Sequence, residues 1–153
     1  MENTQKILVA TDFSRASELA LEAAAILARQ FSASVTLVHC FDPTPFAPLA
    51  TRNASGADQL AVEQQVEKKI HDELERLRRE KLADVADVKV ALIVGASAAD
   101  GICHYATKEN TDLIVLSTHG RTGLSHLLIG SVAEKVVRHA PCPVLTLRSK
   151  TKT

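Results

Sequence analysis

Short apolar runs of strand length alternate with stretches of helical spacing along this chain, and few folds accommodate that order. Residues 6–11, 34–41, 88–94, 111–117 and 143–147 each read as a strand. After the first, Ser14 is placed to cap a helix in which Ala16, Leu19, Ala20, Ala23, Ala24 and Leu27 recur at helical spacing. Most of these are alanines, which predicts a helix lying close against a sheet. A long polar helix follows the second strand, with Val66, Ile70, Leu74 and Leu77 on the stripe that packs inward. Ser97 caps a third helix that includes Ile102, Tyr105 and Ala106, and a fourth spans 131–139, stopping before Pro141. Pro143 denies the last strand one N–H, which suits an edge or a strand start. The alternation predicts right-handed crossovers and a parallel sheet covered on both faces, built as one domain over residues 1–153.

Such a sheet binds ligands beyond the carboxyl ends of its strands, where the winding direction reverses. If the first and fourth strands are neighbours across that reversal, Asp12 and the turn from Ser117 to Gly130 face one crevice. That turn carries Gly120, Gly123 and Gly130, follows a strand and precedes a helix, so its backbone N–H groups suit an anion. Ser117 and His119 belong to the same turn. Asp12 accepts two donors when ionised, as a ribose would offer, or else serves as a helix-start residue favoured by the macrodipole. Arg121 either neutralises outer phosphates or is merely solvated. Ser131-Val132-Ala133-Glu134 matches a capping box, which marks a helix start and can coexist with a phosphate.

Several chemistries are excluded. Lys plus Arg equals Asp plus Glu at 18 each, and aromatics are limited to four Phe and one Tyr, which argues against a nucleic-acid partner. Neither Gly-x-x-x-x-Gly-Lys-Ser/Thr nor a Gly-x-Gly-x-x-Gly after the first strand is present, so a nucleotide would bind through a different turn. His119 lacks a nucleophile elbow around Ser117 and a carboxylate to orient it, so no catalytic residue is assigned. The histidines show no metal-ligand spacing, and no metal site is expected from them. Cys40, Cys103 and Cys142 are widely spaced and read as buried, reduced thiols. Met1-Glu2-Asn3-Thr4 runs straight into a strand, and no apolar run approaches membrane-spanning length, so the expected location is cytoplasmic. The segment 42–56, with Pro43, Pro45 and Pro48, reads as a long loop that is mobile or functional.

These residues resemble the universal stress protein family. Members with ATP sites carry Gly-x-x-Gly, nine residues, then Gly-Ser or Gly-Thr. Here the register is Ser117-Thr118-His119-Gly120, nine residues from Arg121 to Ile129, then Gly130-Ser131. The opening Ile7-Leu8-Val9-Ala10-Thr11-Asp12-Phe13-Ser14 and the tail from Gly130 to Val144 are also similar to that family. The resemblance implies a Rossmann-like fold of the adenine nucleotide alpha hydrolase-like type, with five parallel strands in the order 3-2-1-4-5 and helices on both faces. It implies a homodimer through Val144, Leu145, Thr146 and Leu147, which agrees with an apolar edge inviting a second chain. It further implies that Asp12 contacts the ribose, Ala10 and Thr11 line the base pocket, and Cys40 meets adenine through its backbone. Gly120, Gly130, Ser131 and Val132 would hold the phosphates of ATP around a divalent cation, Mg2+ or Mn2+, joined by Arg121 and Thr122. One departure stands out. Ser117 replaces the first motif glycine, which forbids a glycine-only conformation there and adds bulk or a hydroxyl donor near the phosphates.

The leading function is thus an ATP-binding stress or signalling module whose ligand state tunes its conformation or partners. The alternatives are a dimeric interaction protein without nucleotide, for which Ser117 speaks, and a slow ATPase relying on phosphate and metal electrostatics.

Overall fold

The computed structural model describes residues 5–44, 56–119 and 129–149. In chain order the elements are β1 (Lys6–Ala10), α1 (Arg15–Phe31), β2 (Ser34–Phe41), α2 (Gly56–Lys81), β3 (Val88–Val94), α3 (Ala98–Glu109), β4 (Leu113–Ser117), α4 (Ser131–His139) and β5 (Val144–Leu147). All strand pairs are parallel and the order is β3-β2-β1-β4-β5, as expected. The winding reverses between β1 and β4, which pair from Ile7↔Leu113 to Val9↔Val115. Of the loop expected over 42–56, residues 45–55 lie outside the described residues.

The two-residue period of the strands sorts their side chains onto two cores. Ile7, Val9, Val35, Leu37 and Val115 pack under α1 and α2. Leu8, Val38, Ile114 and Leu116 pack under α3 and α4. Leu8, Val9, Leu37 and Ile114 are completely buried, each contributing about 2 kcal/mol by removal from water. Central strands apolar on both faces are what a doubly covered parallel sheet requires.

Helix α1 begins as expected, with Ser14 Oγ accepting from the Ser17 N–H at 3.2 Å. Its buried face differs from the expected stripe. Ser17, Ala20, Leu21, Ala24, Ala25 and Ala28 are buried, whereas Ala16, Leu19, Ala23 and Leu27 only flank that face. A serine can occupy the core side because its hydroxyl is fully engaged, donating to the Ser14 carbonyl at 2.7 Å. In α2, Leu74 and Leu77 reach the core while Val66 and Ile70 stay half-buried. Ser97 Oγ caps α3 by accepting from the Asp100 N–H.

Strand β4 starts at Leu113 rather than at Thr111, because the Thr111 N–H donates back to Ala106 O and closes the end of α3. The capping box at α4 is not formed. Gly130 is the N-cap and Ser131 the first helical residue, so no side-chain oxygen caps the helix. Glu134 instead pairs with Arg138 one turn on, at 2.6 Å. The three cysteines are free thiols, half-buried rather than fully buried.

Candidate functional site

A cleft of about 310 Å3 opens at the carboxyl ends of β1, β2 and β4, between the first turns of α3 and α4. Ala10, Thr11, Asp12, Cys40, Ser117, His119, Gly130, Ser131 and Val132 all line it. The reversal between β1 and β4 thus brings the Asp12 turn and the start of α4 to one crevice. Gly120, Arg121 and Thr122, the remaining candidates, lie outside the described residues. The lining also includes Ser17, His39, Ala98, Ile102, Leu116, Thr118 and Ala133, which the sequence reading did not single out for the site.

The β1 end of the cleft is ordered by a directional hydroxyl chain. The Phe13 N–H donates to Thr11 Oγ1 at 3.0 Å, and Thr11 Oγ1 lies 2.9 Å from Ser17 Oγ. The Ser17 proton goes to the Ser14 carbonyl, so Thr11 is the donor to Ser17. Asp12 Oδ1 accepts from the Ser14 N–H at 2.9 Å, which starts α1. Between them Phe13 sits at φ 63°, a left-handed conformation that costs a non-glycine residue about 1–2 kcal/mol. Its neighbours must hold it there.

His39 is one of those neighbours. A carbonyl only accepts, so the Nδ1 of His39, 2.8 Å from Thr11 O, carries the proton and donates. The His39 ring also packs on Phe13, with centroids 4.4 Å apart and planes inclined by 31°. The signal available in the sequence was positional: His39 follows Val38, the β2 partner of Ala10, and therefore sits beside the end of β1.

On the apolar side, the Cys40 thiol donates to Ala98 O at 3.6 Å. Burial pushes its pKa up to about 11, so the thiol is neutral at physiological pH. With Ala10, Ala98, Ile102 and Leu116 it forms a wall without charge, suited to a flat, weakly polar group.

The β4 end is polar. Ser117 closes β4 with ordinary strand pairing to Leu147 and is not among the residues with positive φ. A glycine-only backbone is therefore not needed at this position. Its hydroxyl donates to the His119 carbonyl at 2.6 Å, which organises the turn. Thr118 Oγ1 lies 2.9 Å from His119 Nδ1, so His119 addresses a hydroxyl there. Gly130 has φ −58° and ψ 151°, again not a glycine-only conformation. What demands glycine is close approach: a Cβ would lie 3.0 Å from Thr118 O. The first turn of α4 faces the cleft with no side-chain cap, so its N–H groups and the positive end of its dipole are aimed at whatever occupies it. Among the described residues no group of three His, Cys, Asp or Glu side chains gathers to hold a metal, and no helix is long and apolar enough to cross a membrane.

An apolar wall, a carboxylate and an uncapped helix start in one cleft match a ligand with a flat ring, hydroxyls and an anionic end. Known proteins share this architecture. The family model for the universal stress protein family matches residues 3–148. The chain is 34% identical over 150 residues to universal stress protein MJ0531 of Methanocaldococcus jannaschii, covering 97% of this chain and 84% of that relative. The solved structure of hypothetical protein MJ0577 superposes with a TM-score of 0.82 at 28% identity, covering 97% and 98% of the two chains. Two structures alike in fold are a universal stress protein in complex with cAMP (TM-score 0.62, 23% identity, 95% and 98% covered) and one from Archaeoglobus fulgidus in complex with dAMP (TM-score 0.57, 22% identity, 95% and 98% covered). The chain belongs to the universal stress protein family.

Proposed function

We infer that this protein is an ATP-binding, homodimeric module of a cytoplasmic stress response, in which the bound nucleotide tunes conformation or partner choice. The observation that carries the reading is the meeting of Asp12 with the uncapped start of α4 in one cleft. Adenine would lie against Ala10, Thr11 and Cys40, and Asp12 would accept from the ribose hydroxyls. The N–H groups of Ser131 and Val132 would receive the phosphates beside Gly130, whose own N–H is committed to Thr118 O, with Gly120, Arg121 and Thr122 joining them. The missing Cβ of Gly130 lets the start of α4 close onto Thr118 O, which fixes where its first N–H groups meet the cleft. A divalent cation bound with ATP would supply charge neutralisation between the phosphates. The cAMP and dAMP complexes of proteins with this fold support a nucleotide as the ligand class. Ser117, the departure from the motif glycine, argues less against binding now that its hydroxyl has an internal acceptor in His119 O.

Thermal unfolding with and without millimolar ATP and magnesium tests the reading, beside a nucleotide assay on heat-denatured purified protein. Ligand at about one hundred times its dissociation constant adds about 2.7 kcal/mol, a rise of roughly 5–10 °C for a domain of this size. No rise and no released nucleotide would overturn the reading in favour of a nucleotide-independent interaction protein.

A further inference from the structure

We propose that His39 is a positioning residue for Asp12, clamping the turn that carries it from both sides. The proposal rests on the nucleotide reading for its consequence but not for its geometry. On one side, His39 Nδ1 donates to the carbonyl of Thr11, the residue before Asp12. On the other, the ring supports Phe13, the residue after it. Phe13 is the residue in the unfavourable left-handed conformation, so it is the part of the turn that relaxes first when support is withdrawn. On its amide side Thr11 is tied through the N–H bonded to Val38 O, and its side chain is committed to Ser17 and Phe13. Removing His39 therefore frees the Thr11 carbonyl and the Phe13 ring together. The Asp12 carboxylate, bonded to the Ser14 N–H just beyond, moves with them. His39 thus acts on the ligand through Asp12.

The test compares His39→Leu, which removes the donor and the ring, with His39→Asn, whose amide nitrogen can occupy the position of Nδ1 and still donate to Thr11 O. Hydrogen exchange of the Phe13 and Ser14 amides reads the turn without any ligand. His39→Leu should accelerate their exchange by about tenfold or more, with His39→Asn recovering most of the protection. ATP titration with magnesium reads the consequence. His39→Leu should bind about tenfold more weakly than wild type and His39→Asn within about threefold. Combined with Asp12→Ala, His39→Leu should cost little more than Asp12→Ala alone, because one acts through the other. Unchanged exchange in His39→Leu would overturn the clamp, and so would additive losses in the double variant. Accelerated exchange in a protein whose wild type takes no ATP would uphold the clamp and overturn the nucleotide reading alone.

Discussion

The backbone N–H of Gly130 donates to the carbonyl of Thr118 at 2.7 Å, pinning the start of α4 to the end of β4. The same oxygen would lie 3.0 Å from any Cβ at residue 130. Alanine there forces a shift of a few tenths of an ångström and should destabilise by about 1 kcal/mol. Valine adds two methyl groups against the same carbonyl and should displace the helix start. ATP affinity measured by calorimetric titration is expected to fall by more than about tenfold in Gly130→Val, with Gly130→Ala between it and wild type and the oligomeric state unchanged in both. Equal affinities would remove the start of α4 from the site.

On the nucleotide reading proposed above, Asp12 has two separable duties. Its Oδ1 accepts from the Ser14 N–H, a bond that asparagine can reproduce. Asp12→Asn should therefore leave the melting temperature near that of wild type, while Asp12→Ala loses about 1 kcal/mol. Either substitution removes a charged acceptor for a ribose hydroxyl, worth about 1.5–3 kcal/mol, or roughly 10–150-fold in ATP affinity. Wild-type affinity in Asp12→Asn would reduce the residue to a helix starter.

How far such a site can be read before folding is visible in these residues. The parallel sheet was accessible because apolar strands such as β1 and β4 alternate with helices, which suits a sheet covered on both faces. The strand order, by contrast, came from the family resemblance, and the crevice depended on β1 and β4 being neighbours. The buried face of α1 was misread because an apolar count leaves out Ser17, whose hydroxyl becomes a core group once Ser14 and Thr11 satisfy it. Ser131 and Glu134 have capping-box spacing, yet the approach of Gly130 to Thr118 moves the helix start back one residue and leaves Glu134 to Arg138. His39 escaped notice because its role depends on a cross-strand neighbour and on the left-handed Phe13. Neither is encoded in local periodicity.

The half-buried Cys40 thiol makes a prediction for alkaline pH. In the folded protein it keeps its proton up to about 11, whereas the ordinary value is 9.0. Between these values the unfolded chain binds fewer protons than the folded one. Stability is therefore fully present below the lower value and falls by about 1.4 kcal/mol per pH unit above it. Melting temperatures from pH 8 to 11 should decline more steeply in wild type than in Cys40→Ala, since the other thiols and the tyrosine are common to both. Alkylation of Cys40 near pH 8 should be about 100-fold slower than that of an ordinary thiol, as its thiolate is that much scarcer. Matching pH slopes would show that the thiol is less desolvated than the fold implies.

The dimer expected through β5 can be tested without touching the cleft. The Ile114 and Thr118 N–H groups donate to Pro143 O and Leu147 O, so the odd-numbered residues of this segment address β4. By alternation, the N–H and C=O groups of Val144 and Thr146 point away from the sheet, toward a second chain if one pairs there. Leu145 remains exposed beside them, with Val137 of α4 more than half exposed, giving the edge the apolar character that association requires. Thr146→Pro removes an outward N–H and leaves the β4 ladder intact, so it should cost the isolated subunit no more than about 1 kcal/mol. Light scattering on the eluting protein should change from dimer to monomer mass, with a far-ultraviolet spectrum like that of wild type. A dimer that survives Thr146→Pro would place its interface elsewhere than the β5 edge.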